Sequence, residues 1–423
     1  MHEYFLHFVW QYQKFDTRDL YTTAMQKLQI LEKGYANKHA GADFSLAKIC
    51  LDGVEWVGNV EIHLKTSDWE LHEHSKNENY NNVILHVVWE HDKEIIRQDG
   101  TPVPTLCLQD KIDKVWLARY QQFLATQTPI ICQPYWDSME NLHKIMLLDK
   151  ALSQRLEQKA QAVSQIWHTT NHDWEETAYQ LLAQNMGFKR NAEPFLALAQ
   201  RVPYKILAKH TDQVLALEAL LLGTAGLLDT ENTDEYTQKL QKEYHFLRHK
   251  YQLTDRKMLK QTWQWAKLRP ANFPTLRIAQ FAQMIAQIKN LFSFFTQADL
   301  KTILQTLQIT PSPYWHTHYQ IAKKTDKVAY KVGKASAENI VVNTIVPLLA
   351  CVAKEKRQQS YLNKAIEYLE NLPAEQNHIL EIWQSLGMKV KTAFDSQALI
   401  QQYNHMCVPK QCLACTVGNI ILR

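Results

Sequence analysis

Two neighbouring stretches rich in apolar residues, Phe44 to Leu51 and Glu55 to Leu64, flank an Asp52-Gly53 pair, and that arrangement predicts an antiparallel hairpin with a tight turn. Val83 to Trp89, apolar and β-branched, predicts a third strand. Upstream, Phe5, Phe8, Val9 and Tyr12 have the spacing of one helical face over residues 2–13. Arg18 to Glu32 is read as a second short helix, running into a polar linker from Lys33 to Ala40. Asp99-Gly100, Pro102 and Pro104 within Glu94 to Leu108 predict a second hairpin or a loop, and short segments continue to Pro134.

Near Asp137 the pattern changes. Ser138 to Trp167 reads as one long amphipathic helix without Gly or Pro, Asn171 or Asp173 caps the next, and Gly187 stops it. Further helical units are expected at Glu193 to Arg201, Val214 to Leu228, Thr233 to Tyr251, Ile278 to Leu291, Gln297 to Leu307 and Lys354 to Asn371. Strand signals nearly vanish there, and no fixed-length repeat emerges. The expected class is therefore α+β: a mixed α/β sheet domain over 1–135, a large all-α domain of packed helical hairpins over 136–400, and a short Cys-rich tail over 401–423.

The hairpin carries the densest candidate chemistry. With the turn centred between Asp52 and Gly53, Asp43 falls opposite Ile62, beside Glu61 and His63. Glu61, His63 and Lys65 share one face of their strand, while Val60, Ile62 and Leu64 point into a core. Two adjacent carboxylates repel, and a Mg²⁺ or Mn²⁺ ion between them relieves the repulsion. Lys65 is then placed to orient the attacking water and to stabilise charge on a phosphate. The bland reading is the solvated outer face of an ordinary half-buried hairpin. His72, His74 and His86 follow closely, each either a phosphate or metal contact or a structural histidine.

These residues resemble the pattern of the PD-(D/E)XK nuclease superfamily, in which an Asp at the start of one strand faces an acidic-x-Lys element on its antiparallel partner around a divalent metal. Asp43 in Gly41-Ala42-Asp43-Phe44 matches the first position, with Ala42 in place of the usual Pro. The second element departs, because Glu61-Ile62-His63-Leu64-Lys65 puts Glu and Lys four apart rather than two. Either His63 replaces a carboxylate, or Glu61 is the ligand and Lys65 reaches in from one pleat further along. The resemblance implies a nuclease-like core in which the helix near residues 2–13 covers one side of the sheet, with Glu3 or His7 bordering the site. A core or surface role for both is the alternative.

Composition adds bounds. The 423 residues are 46% hydrophobic, enough for two or three domains, and a formal charge of +4 is too small to announce a nucleic-acid binder by itself. Neither a membrane-spanning apolar stretch nor a signal peptide is read from the sequence, so a cytoplasmic protein without membrane contact is expected. Among seven cysteines, Cys50, Cys107, Cys132 and Cys351 are scattered and read as reduced core residues. A phosphate-binding GxxxxGK[ST] loop and a GxGxxG turn are both lacking.

Two stretches of the helical region allow nucleic-acid contact. Arg269, Asn272 and Arg277 surround two prolines after Trp263, Trp265 and Lys267, a set able to grip phosphates and stack on bases or else to pin a buried loop. Tyr314, Trp315, His318 and Tyr319 read chiefly as core packing. In the tail, His405, Cys407, Cys412 and Cys415 offer four soft ligands within eleven residues. Zn²⁺ would take the three thiols with His405 or a distant residue as fourth, and thiols capping a helical end without metal is the alternative. Some families similar to the nuclease superfamily hold an iron–sulfur cluster on three C-terminal cysteines and one upstream, and Cys50 does not suit that fourth place because it alternates within a strand.

GADF, VEIHLKTSDW, NNVILHVVW, RPANFP, YWHTHY and the CLAC tail together resemble, over nearly the whole length, an uncharacterised bacterial family of unknown function. Three readings follow. The first is a metal-dependent nuclease-like enzyme whose helical domain holds nucleic acid or a protein partner. The second is a non-catalytic nucleic-acid- or protein-binding module on the same fold, and the third a helical scaffold with a structural metal.

Overall fold

A computed structural model of the chain describes residues 3–37, 41–231 and 233–422. It divides into two compact units. The first comprises the chain up to Asp149, Ile382–Met388 and the stretch from Ile400 onward, and the second comprises Lys150–Glu381 and Lys389–Leu399. The tail therefore belongs to the same unit as the hairpin.

The first unit is built on a seven-stranded sheet. Its strands are β1 (Leu20–Tyr21), β2 (Lys27–Glu32), β3 (Tyr35–Ala36), β4 (Phe44–Leu51), β5 (Val54–Lys65), β6 (Val83–Glu90) and β7 (Thr105–Cys107). They lie in the order β1-β2-β4-β5-β6-β7, with β3 also pairing β4. Pairing is antiparallel as far as β5 and parallel for β5 with β6 and β6 with β7. The crossover from β5 to β6 consists of the short helix α2 (Asp68–Leu71) and 3₁₀ turns at His74–Lys76 and Glu78–Tyr80. Helix α1 (Glu3–Gln11) stacks Phe5 and Phe8 on Trp116 of helix α3 (Lys114–Ala125), with centroids 5.6 and 5.8 Å apart.

The short helix expected over Arg18 to Glu32 is absent, because Lys27–Glu32 is β2. Leu28 is buried between exposed Lys27 and Gln29, and the strand pairs with β4 from Leu28↔Leu51. Pairing against an existing hairpin outweighs a weak local helix preference. The linker expected from Lys33 to Ala40 contributes β3, while its residues 38–40 lie outside the described residues.

The hairpin forms as expected, with Asp52 (φ 46°) and Gly53 (φ 87°) both left-handed, the geometry of the primed two-residue turn. Its register follows the expected pairing from Leu51↔Val54 to Ala47↔Gly58, then shifts to Phe44↔Val60. One extra residue sits in β4, and Leu46 (φ 57°) carries the bulge, 63% exposed. Continued one step, the shifted register sets Asp43 across from Glu61 instead of Ile62.

Helices dominate the remaining chain, so the coarse arrangement of a mixed sheet followed by a large helical region holds. The long helix α4 (Asn141–Thr169) is followed by Trp174–Met186, where Asp173 accepts from the N–H groups of Glu175 and Glu176 and Gly187 ends the run. Gln297 to Leu307, read as one helix, is split. Leu291–Gln297 ends and Leu300–Thr306 begins under an Asp299 cap. Lys354 to Asn371 is likewise interrupted, because Arg357 (φ 54°) closes Val346–Lys356 before Gln359–Asn371 starts. By length and composition the 23-residue helical run Lys334–Lys356 is apolar enough to cross a bilayer, contrary to the reading above, yet 72% of its apolar window is buried within the protein.

Val214–Thr224 in the second unit is buried almost all round, and it includes Glu218 at 0% exposure. Trp315 Nε1 (3.0 Å), Tyr236 Oη (2.8 Å) and Ser312 Oγ (2.8 Å) donate to its carboxylate. Burial raises its pKa against the pull of those three donors. Glu218→Leu strands all three and is expected to cost about 3 kcal/mol or more, and Glu218→Gln, which keeps the side-chain shape and one acceptor oxygen, roughly 1 kcal/mol. Urea unfolding monitored by tryptophan fluorescence separates the two, and equal losses would refute the donor argument.

Candidate metal centre

The bulge decides which side chains meet. With Asp43 across from Glu61 the two carboxylates share a face, and each is anchored by the other's backbone. Asp43 N–H donates to Glu61 Oε2 (3.1 Å), and Ile62 N–H donates to Asp43 Oδ2 (2.9 Å). Glu61 is 5% exposed and His63 1%.

Around this pair lie two groups of three ligand-type residues, Glu3 with His7 and Asp43, and His63 with His72 and His74. In each group the ligand atoms lie within 4.8 Å of one another. The first group is set by α1, whose one-turn spacing brings Glu3 and His7 together. His7 Nε2 stands 3.4 Å from Asp43 Oδ2 and 3.6 Å from Glu3 Oε1. The second is set by β5 and the crossover. His63 Nε2 is 3.1 Å from His72 Nδ1 and 3.6 Å from Glu61 Oε1, and His74 Nε2 is 3.1 Å from the same Glu61 oxygen. Glu73, between His72 and His74, is left-handed (φ 59°) and turns the chain from α2 into the 3₁₀ turn. Trp69 and Tyr80 wall the crossover, with Tyr80 stacked on His74 at 3.7 Å.

Behind His63 stands His86 of β6, fully buried, its Nε2 2.8 Å from His63 Nδ1. This contact fixes the His63 ring so that Nε2 faces the cluster. His74, only 7% exposed, turns its Nε2 to Glu61 Oε1, so imidazole and carboxylate face each other where a cation could bridge them.

Burial and neighbouring charges shift several of these groups from their ordinary titration range. Burial, chiefly, and the charge of Asp43 push the Glu61 carboxyl above the usual carboxylate range, against the pull of His74. Burial lowers His63 to about 4 and His86 well below the ordinary histidine value, so both are neutral near pH 7. Burial also lowers His7, but the carboxylates of Asp43 and Glu3 outweigh it and the ring is raised to about 9.

Other expected site residues lie elsewhere. Lys65 is half exposed, its Nζ 3.2 Å from Glu90 Oε2. Arg269 is exposed in the second unit. Arg277 is buried there, bonded to Asn272 and Gln280 with its guanidinium 4.4 Å from the Phe188 ring centre, the arrangement of a pinned loop. In the tail, His405 is exposed, while Cys407, Cys412 and Cys415 line one cavity with Cys132. Cys132 was read as a core residue, and nothing in its surroundings Ile130-Ile131-Cys132 signals otherwise.

The sequence profile of a family described as a protein of unknown function (DUF2851) matches residues 3–378, most of the chain but not the cysteine tail. Comparison with curated proteins and with solved structures yields no match.

In chelated, metal-free protein the His63 and His86 shifts set a sign. Both pKa values are depressed on folding, so the stability they contribute is present above pH 6.5 and lost as pH falls from there toward 4, with a His63 share of roughly 3 kcal/mol. His7 runs the other way, its contribution present below pH 6.5 and lost as pH rises toward 9. Urea unfolding across pH 4.5 to 7 should give a flatter dependence in His63→Asn than in the parent chain. An unchanged slope would remove the assignment.

Proposed function

We propose that this chain, which belongs to the DUF2851 family of proteins of unknown function, is a metal-dependent hydrolase of phosphodiester bonds in nucleic acid. The observation that carries the reading is a pair of ligand groups on adjacent carboxylates, His63, His72 and His74 with Glu61 beside them, and Glu3 and His7 with Asp43. The order of elements also supports a nuclease-like core: a helix, then antiparallel strands with Asp43 just before one and Glu61 in the next, then a crossover to a parallel strand.

The donor set fits a divalent ion. Of the Mg²⁺ and Mn²⁺ expected from carboxylates, the added imidazoles favour Mn²⁺. Such an ion supplies charge neutralisation at phosphate and acidifies water for attack. The chain's own part is positional. Asp43 and Glu61 hold the charge, His86 fixes the ring of His63, and Trp69 with Tyr80 keeps bulk water from one flank. Lys65, paired with Glu90 at the exposed end of β5, is a rim cation for a neighbouring phosphate.

The engagement of Lys65 with Glu90, together with its four-residue offset from Glu61, favours the second reading, a binding module without catalysis. Incubation of the full chain with labelled single- and double-stranded DNA and RNA in Mn²⁺ separates the two. Cleavage is expected, reduced in Asp43→Asn, Glu61→Gln and His74→Ala by more than the about 10–100-fold typical of outer-shell partners, and in Lys65→Ala by less than about tenfold. Binding without cleavage points to the module. Cleavage that survives all three ligand variants refutes the proposed centre.

A further inference from the structure

The tail brings together groups the hydrolase reading does not use. A π turn at Tyr403–Cys407, a left-handed Lys410 (φ 55°) and the start of the helix Thr416–Leu422 fold Cys407, Cys412 and Cys415 back on one another. Gly418 sits so close to the Cys412 carbonyl that a Cβ there would collide with it. Cys132, 275 residues upstream of Cys407 in sequence, completes the lining of an enclosed cavity of about 20 Å³ walled by Phe123 and Trp383. Gln402, 6% exposed, donates from Nε2 to Cys415 Sγ at 3.1 Å. Among the described residues all four thiols are free of disulfides.

From this geometry we infer that Cys132, Cys407, Cys412 and Cys415 form a four-thiolate metal site, with Cys132 in the place of the fourth ligand. His405 points to solvent and takes no part. Four thiols around one cavity with an amide donor beside them match the ligand set of a structural metal.

Two occupants share this chemistry. A single Zn²⁺ fits the cavity volume but needs sulfurs about 3.8 Å apart, given zinc–sulfur bonds of about 2.3 Å. The cysteines form no group of three with ligand atoms within 4.8 Å, so a zinc ion requires the loop to draw inward. An iron–sulfur cluster accepts wider spacing and requires the cavity to expand.

The test is elemental and acid-labile sulfide analysis of the full chain purified anaerobically, beside Cys132→Ser and, as control, the buried Cys351→Ser. Zinc without sulfide, or iron with matching sulfide, retained in Cys351→Ser and reduced at least about tenfold in Cys132→Ser, supports the site and identifies the occupant. Metal content equal in parent and Cys132→Ser, or no bound metal after anaerobic reconstitution with either, overturns it. Should Cys132→Ser fail to fold, alkylation of the parent chain decides. Thiols protected by metal become reactive when the metal is stripped by chelator or oxidant, whereas thiols protected only by burial do not. The histidine–carboxylate centre and this site fail independently, since substitution of Cys132 leaves every ligand of the former in place.

Discussion

A single extra residue in β4 governs the geometry of the first unit's chemistry. Side chains in a strand alternate between faces, so a register shift of one position moves every later residue to the opposite side. Without the bulge at Leu46, Asp43 would sit across from Ile62 and share its face, away from Glu61. With it, the two carboxylates lie side by side, each holding a backbone N–H of the other's strand. Leu46 itself is left-handed and exposed, which is where the strain and the unpaired residue are tolerated.

That juxtaposition is unfavourable in isolation, and neighbouring histidines offset it. Burial, and after it the charge of Asp43, raises Glu61 against the pull of His74, while His7 pairs with Asp43 and is itself raised to about 9. His63 is buried deeply enough to be held down at about 4 and so is neutral near pH 7, the form in which a nitrogen lone pair is available. His86 contributes only through His63, in the manner of an outer-shell residue.

Local signals were legible where the governing interaction is local. Asp52-Gly53 specified its turn, Asp173 its cap and Gly187 its stop, because each depends on a few residues of backbone geometry. The carboxylates and most of the histidines could be nominated from strand periodicity and proximity in sequence. Features that depend on partners far along the chain were not legible. β2 looks like an amphipathic helix until β4 is present to pair with it, and the Leu46 bulge has no composition cue. The parallel pairing of β6 and the reach of His7 across to Asp43 are consequences of tertiary packing. Cys132 is the sharpest case, since a cysteine after two isoleucines is chemically silent until distant thiols arrive beside it.

The composition of the first unit from three separated stretches carries an implication for biogenesis. The stretch from Ile400 onward belongs to the sheet's unit, with Leu422 and Lys410 bonded to Trp116 and Leu124 of α3, although the helical unit intervenes in sequence. As the chain is synthesised, that unit therefore cannot finish folding before the helical stretch has been made, so the two units share an order of assembly that neither imposes alone.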